Sequence, residues 1–150
     1  MDRIAERMRE WGCGGTQLRR KTFDFRAAEL GLDNVATPRE LAGLLLRLLR
    51  GELVDSATSA VVLAVLEQTQ TDACIRRYLP ARTRVAHKTG ELGKVRNDAA
   101  VIWAERPVVA VGLVQGVPDV RPSGRRSRCS GCLDGWPTAR PVVIPGHDPT

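Results

Sequence analysis

Apolar residues change their spacing once in this chain, near Pro80, and that change limits the folds open to it. Before Pro80 they recur at helical intervals. After Thr83 they collect in short runs rich in β-branched residues. Helices first and strands second is an α+β order. Residues 2–11 predict a helix with Ile4, Met8 and Trp11 on one face, stopped by Gly12, Gly14 and Gly15. Residues 16–36 have no clear period. Phe23, Phe25, Ala27, Ala28 and Leu30 are expected to bury this connecting segment, with a short helix near 26–30.

The clearest helix start is Thr37-Pro38-Arg39-Glu40, a capping box with proline at the first helical position. The threonine hydroxyl is expected to accept from a free backbone N–H, and the glutamate to reach back to the cap. Leu41, Leu44, Leu45, Leu48 and Leu49 form the apolar stripe, and Gly51 ends it. Asp55 or Ser56 caps a further helix, with Val61, Val62, Val65 and Leu66 expected to face inward. Asp72 opens a short helix through Ile75 to Leu79, closed by Pro80. Three strands follow: residues 82–88, which alternate weakly, residues 99–104 and residues 108–114. Arg106-Pro107 turns the last two, giving an antiparallel meander.

After Val117 the text changes. Residues 118–150 hold six of the nine prolines and four of the 14 glycines, with Val142-Val143-Ile144 as the single apolar run. A domain over residues 1–117 and a poorly ordered Pro/Gly/Arg-rich tail over 118–150 are the expected division.

Several function classes lose support. The net charge of +6 comes from 23 basic residues, twenty of them Arg, spread along the chain apart from Arg125-Arg126-Ser127-Arg128. A nucleic-acid face gathers its basic residues on one element, and no DNA-binding motif occurs. Cys129-Ser-Gly-Cys132 has metal-knuckle spacing, but no second pair completes a zinc site, so neither a metal nor another cofactor is expected. His147 sits in a Pro/Gly context and reads as solvated. No run is apolar enough to span a membrane and residues 1–11 do not resemble a signal peptide, which places the chain as written in the cytoplasm.

The remaining signal is Val85-Ala86-His87-Lys88-Thr89-Gly90. Lys-Thr-Gly on a strand is one of three motifs in the active site of penicillin-recognising serine hydrolases. Three other stretches agree with it in order and spacing. Gly15-Thr16-Gln17-Leu18-Arg19-Arg20 resembles the approach to that family's Ω-loop. Asn34 through Leu41 resembles the start of the next helix, and Leu49-Arg50-Gly51-Glu52-Leu53 its end. From Gly15 to about Val117 the chain resembles the C-terminal half of a class A β-lactamase or a closely similar serine hydrolase. The implied fold is a partial β-lactamase/transpeptidase-like one.

The resemblance implies roles for four residues. Lys88 supplies positive potential, the Thr89 hydroxyl donates to a substrate carboxylate, and Gly90 allows close approach to the backbone. The N–H of Glu91 would be one oxyanion-hole donor. The implied ligand is a β-lactam or a peptidoglycan peptide.

The departures are equally specific. No Ser is followed three residues later by Lys, and Ser-Asp-Asn is absent, so the chain has no catalytic residue of its own. The Ω-loop's general-base position falls near Thr22; Asp24 and Glu29 are nearby carboxylates outside the family's context. Arg96 is the nearest candidate for an arginine reinforcing the carboxylate site. The expected protein is therefore a truncated β-lactamase-like chain, not catalytic alone, with an unpaired sheet edge and an open apolar face. The alternatives are a regulatory or sensor protein controlling β-lactamase expression, and one part of an active β-lactam hydrolase whose other half comes from a protein partner. Full-length relatives of this kind are typically exported.

Overall fold

A computed structural model describes residues 1–69, 71 and 74–117. The chain divides into two compact units, Met1–Val62 and Leu63–Thr150.

The first unit begins with α1 (Asp2–Glu10), whose exposed Arg7 and Glu10 pair at 2.6 Å. A loop then leaves and returns to nearly one place. Gln17 and Val35 exchange backbone hydrogen bonds of 2.8 and 3.1 Å and close its neck. Asn34 Oδ1 accepts from the N–H groups of Arg19 and Arg20 at 2.8 and 2.9 Å. The Arg20 guanidinium, its side chain buried, donates through Nε and Nη2 to Asp33 Oδ1, each at 3.0 Å. Within the loop, α2 (Phe25–Glu29) is capped by Asp24, which accepts from Ala27 N–H at 3.0 Å.

This loop corrects one expectation. Phe23, Phe25 and Leu30 are exposed, Phe23 by 79%. With five helical residues and a neck pinned by polar groups, the loop holds its shape without an apolar interior. Phe23 has φ of 66°, an uncommon backbone for a bulky residue.

The helix α3 (Pro38–Leu49) starts where the capping box places it: Thr37 Oγ1 accepts from Glu40 N–H at 3.2 Å. The Glu40 side chain accepts from Gly15 N–H at 2.8 Å and from the Thr16 hydroxyl at 2.6 Å, while the Thr37 N–H that a capping box would pair with Glu40 goes to Thr16 Oγ1 at 3.4 Å. The leucine stripe is half-buried, with Leu48 fully inside. Gly51 has φ of +72°, and a Cβ there would lie 2.9 Å from Ser56 Oγ, so both backbone and space call for glycine.

Asp55 caps α4 (Ser56–Glu67), accepting from Thr58 N–H and its hydroxyl at 2.7 Å each. Here the inward set differs from expectation. Val61 is 63% exposed, and Val62 and Val65 are exposed with it, while Ser59 is buried. From Ala60 to Leu66 every residue is apolar, so the sequence offers no polar face to mark the solvent side.

In the second unit the three strands form one antiparallel sheet in the order β1-β2-β3: β1 (Arg84–Leu92), β2 (Val95–Trp103) and β3 (Val108–Gln115). In the register Lys88 lies opposite Ala99, Thr89 opposite Asp98 and Glu91 opposite Arg96. The first two strands are longer than expected, because residues 89–98 are too polar to read as a buried run. A two-residue turn, Gly93-Lys94, joins them, with Gly93 at φ +49°. Buried side chains fall on both faces: Val85, His87, Asp98 and Ala100 on one, Ala86 and Val101 on the other. The short α5 (Cys74–Arg77) packs on β1 and β2. Asp72, Cys129, Cys132, His147, the run Arg125–Arg128 and the apolar run at 142–144 lie outside the described residues. Among the described residues no helix is long and apolar enough to cross a membrane.

Candidate functional site: the Lys88-Thr89-Gly90 strand

Among the described strands β1 is an edge of the sheet, so backbone groups along one side of Lys88-Thr89-Gly90 have no strand partner there. Alternation along the strand sends Lys88 and Gly90 to one face and Thr89 and Glu91 to the other. A ligand lying along the edge could meet both sets. Lys88 is exposed, and its Nζ donates to the carbonyl of Thr89; no carboxylate pairs with it among the described residues. Thr89 is half-buried and Gly90 exposed. A Cβ at Gly90 would meet only Asn97 Cβ, at 3.6 Å, an ordinary contact. The chain's own packing therefore does not require glycine there.

Glu91 and Arg96 face each other across the hairpin, with Nε and Oε2 4.0 Å apart. Arg96 also donates to the carbonyls of Gly93 and Val95 at 2.8 and 2.7 Å. Its guanidinium is held over the turn, next to Glu91 rather than Lys88. Thr22, Asp24 and Glu29 belong to the loop of the first unit, and Asp24 serves there as a helix cap.

Beneath the strand lies a polar pair that motif reading missed. His87, 1% exposed, places Nδ1 3.2 Å from Asp98 Oδ1, and Asp98 is 3% exposed. Asp98 Oδ2 accepts from Ile75 N–H at 3.0 Å, and Thr69 Oγ1 donates to the His87 carbonyl at 2.8 Å. The available signal is a histidine in the strand followed eleven residues later by an aspartate just before the apolar run 99–104, which in a two-residue hairpin become diagonal neighbours. Among the described residues no three His, Cys, Asp or Glu side chains gather as a metal site would require. Burial pushes the Cys13 thiol pKa up, helped by the Glu40 carboxylate and opposed by Arg47, which disfavours its reactive thiolate.

A family model described as the β-lactamase enzyme family matches residues 1–127. The chain belongs to the β-lactamase enzyme family. Two solved β-lactamases are 30% and 31% identical to it over the aligned residues. That from Sphaerobacter thermophilus is 30% identical with a TM-score of 0.72, over 79% of this chain and 46% of its own. The class A enzyme from Mycobacterium abscessus is 31% identical with a TM-score of 0.62, over 75% of this chain and 45% of its own. A structure of PBP-A, at 24% identity and a TM-score of 0.69, covers 82% of this chain and 45% of its own and shows the same fold. The chain thus spans less than half the length of the solved structures it matches. No curated protein sequence matches it significantly. The α+β order, with helices preceding a three-stranded antiparallel sheet, is that of a partial β-lactamase/transpeptidase-like fold.

Proposed function

We infer that the edge strand at Lys88-Thr89-Gly90 binds the carboxylate of a β-lactam or of a peptidoglycan peptide, and that this chain by itself forms no acyl-enzyme. One observation carries the reading. Lys88 is an exposed cation on an open strand edge, beside a threonine hydroxyl and a glycine, and among the described residues no carboxylate neutralises it. An ammonium and a hydroxyl on adjacent residues suit an anionic group that approaches the edge. Glycine at the third position leaves the backbone approachable. The N–H of Glu91 is the donor that an oxyanion would use. Bond cleavage needs a nucleophile beside its base, and the sequence contains neither Ser-x-x-Lys nor Ser-Asp-Asn. Binding is then reversible and salt-sensitive, because an exposed lysine holds a carboxylate mainly through screened charge.

The test is a titration of the full chain with benzylpenicillin, followed by NMR and by intact-mass measurement. Saturable shifts at residues 88–91 that vanish in Lys88→Ala, with no mass increase, are expected. A covalent penicillin adduct on the purified chain, or shifts that ignore Lys88→Ala, would overturn the reading.

A second reading concerns a protein partner, favoured by the exposed Val61 and Val65 of α4. The partner in this reading is a polypeptide carrying the portion of the family fold that this chain does not match. Co-expression with such a segment should protect α4 from proteolysis; unchanged digestion would reject it.

A further inference from the structure

Among the described residues of the second unit, the residue before Lys88 is the most buried polar side chain, and its hydrogen bonds reach Asp98 of β2 and Thr69. His87 and Asp98 are 1% and 3% exposed. A carboxylate facing a ring nitrogen at 3.2 Å accepts, which places the imidazole proton on Nδ1. The other Asp98 oxygen accepts from the N–H of Ile75 in α5 at 3.0 Å, and the backbone carbonyl of His87 accepts from Thr69, just after α4, at 2.8 Å. Nε2 of His87 is buried with no hydrogen-bond partner among the described residues. A buried cross-strand polar pair is costly to keep if bulk packing alone were needed, since an apolar side chain would avoid the desolvation.

We propose that His87 and Asp98 are positioning residues for the carboxylate-binding strand: their hydrogen bond fixes the phase and height of β1 at Lys88 and Thr89 against α5 and β2. The proposal rests on the ligand reading given above. The physical reason is strand alternation. His87 and Thr89 share one face and Lys88 takes the other, so a rotation of β1 about its axis displaces all three together. A slip by one residue would exchange the faces outright. Packing by Val85 and Ala86 holds the strand down but is non-directional. The directional bonds to His87, through its ring and its carbonyl, set the angle at which Lys88 and Thr89 leave the sheet. Neither residue needs to touch the ligand.

The deciding comparison is between two amides. Asparagine presents an N–H near the Nδ1 position, whereas glutamine carries its N–H further out, near Nε2. His87→Asn therefore keeps the bond to Asp98 at smaller volume, and His87→Gln keeps more of the volume and displaces the donor. In the full chain, benzylpenicillin affinity should fall about ten-fold in His87→Gln and in Asp98→Ala, and stay within about three-fold of the parent in His87→Asn. Amide hydrogen exchange at residues 88–90, measured without ligand, should accelerate in the same two variants and not in His87→Asn. Equal loss in both His87 variants would assign the residue to packing and overturn the proposal, as would parental exchange and affinity in His87→Gln. Should the parent chain fail to bind benzylpenicillin at all, the ligand reading fails, and the exchange arm still decides whether the pair holds the strand. If His87→Gln does not fold, Asp98→Asn substitutes: one of the two acceptor oxygens becomes a donor NH2 facing an N–H, so loss of strand protection is expected in it, and parental protection would overturn the proposal.

Discussion

The carboxylate of Glu40 accepts the Thr16 hydroxyl at 2.6 Å, joining the first turn of α3 to the chain 24 residues earlier. Its second oxygen takes the N–H of Gly15 at 2.8 Å, and a Cβ on Gly15 would come within 3.1 Å of that oxygen. These bonds, that from Thr16 foremost, hold the Glu40 carboxyl below its ordinary pKa. A lowered native pKa means that the ionised form is favoured by folding. The stabilisation is present above the unfolded value of about 4.3 and is lost as pH falls through the lower native value. Stability measured by urea unfolding should therefore decline with acidification in that window. Glu40→Gln should weaken the decline; an unchanged slope would show that Glu40 contributes no linkage.

Asp33 and Arg20 close the loop from the other side. Arg20 is buried and Asp33 is mostly exposed, so deleting the acid leaves a desolvated guanidinium without its carboxylate. Asp33→Ala should cost roughly 1–3 kcal/mol. Proteolysis within residues 17–35 should rise more than cleavage in β1–β3, because the bond pins the neck locally.

Gly90 separates folding from ligand binding. Its backbone φ is not in the left-handed region and a Cβ meets only ordinary contact. Gly90→Ala should leave stability unchanged or raise it by about 0.5–1 kcal/mol through reduced unfolded-state freedom. Benzylpenicillin binding should weaken in the same variant, since the methyl group occupies the approach to the backbone. A calorimetric titration beside a thermal melt reads both.

Two valines test which apolar residues hold the protein together. Val101 is wholly buried, and Val101→Ala should cost about 2 kcal/mol. Val61 is exposed on α4, and Val61→Gln should change stability by less than about 0.5 kcal/mol. Equal costs would mean that α4 buries the face its valines suggest.

The legible parts of the fold were those coded by local chemistry. The cap of α3 at Thr37, the stop at Gly51 and the turn near Arg106-Pro107 follow from neighbours within a few residues. The α4 face was not legible, because an unbroken apolar run from Ala60 to Leu66 satisfies any choice of inward side. Residues 89–98 do not read as strand because their side chains are largely polar; hairpin pairing keeps them extended. At the site, Lys88-Thr89-Gly90 stood out as a motif, whereas His87 and Asp98 did not, since neither residue type signals anything until a register brings them together.

By itself the sequence determined the order of elements, the caps that start and stop them, and the residues that mark the family. These depend on backbone conformations set by a few adjacent side chains. Only the tertiary structure decided that Glu40 reaches Gly15 and Thr16, that Asn34 ties the neck at Arg19 and Arg20, and that Asp98 lies beside His87. Each of those contacts joins groups 11 to 25 residues apart. Whether such groups meet is settled by the turns and strand registers between them, a property of the folded chain that no short stretch of sequence contains.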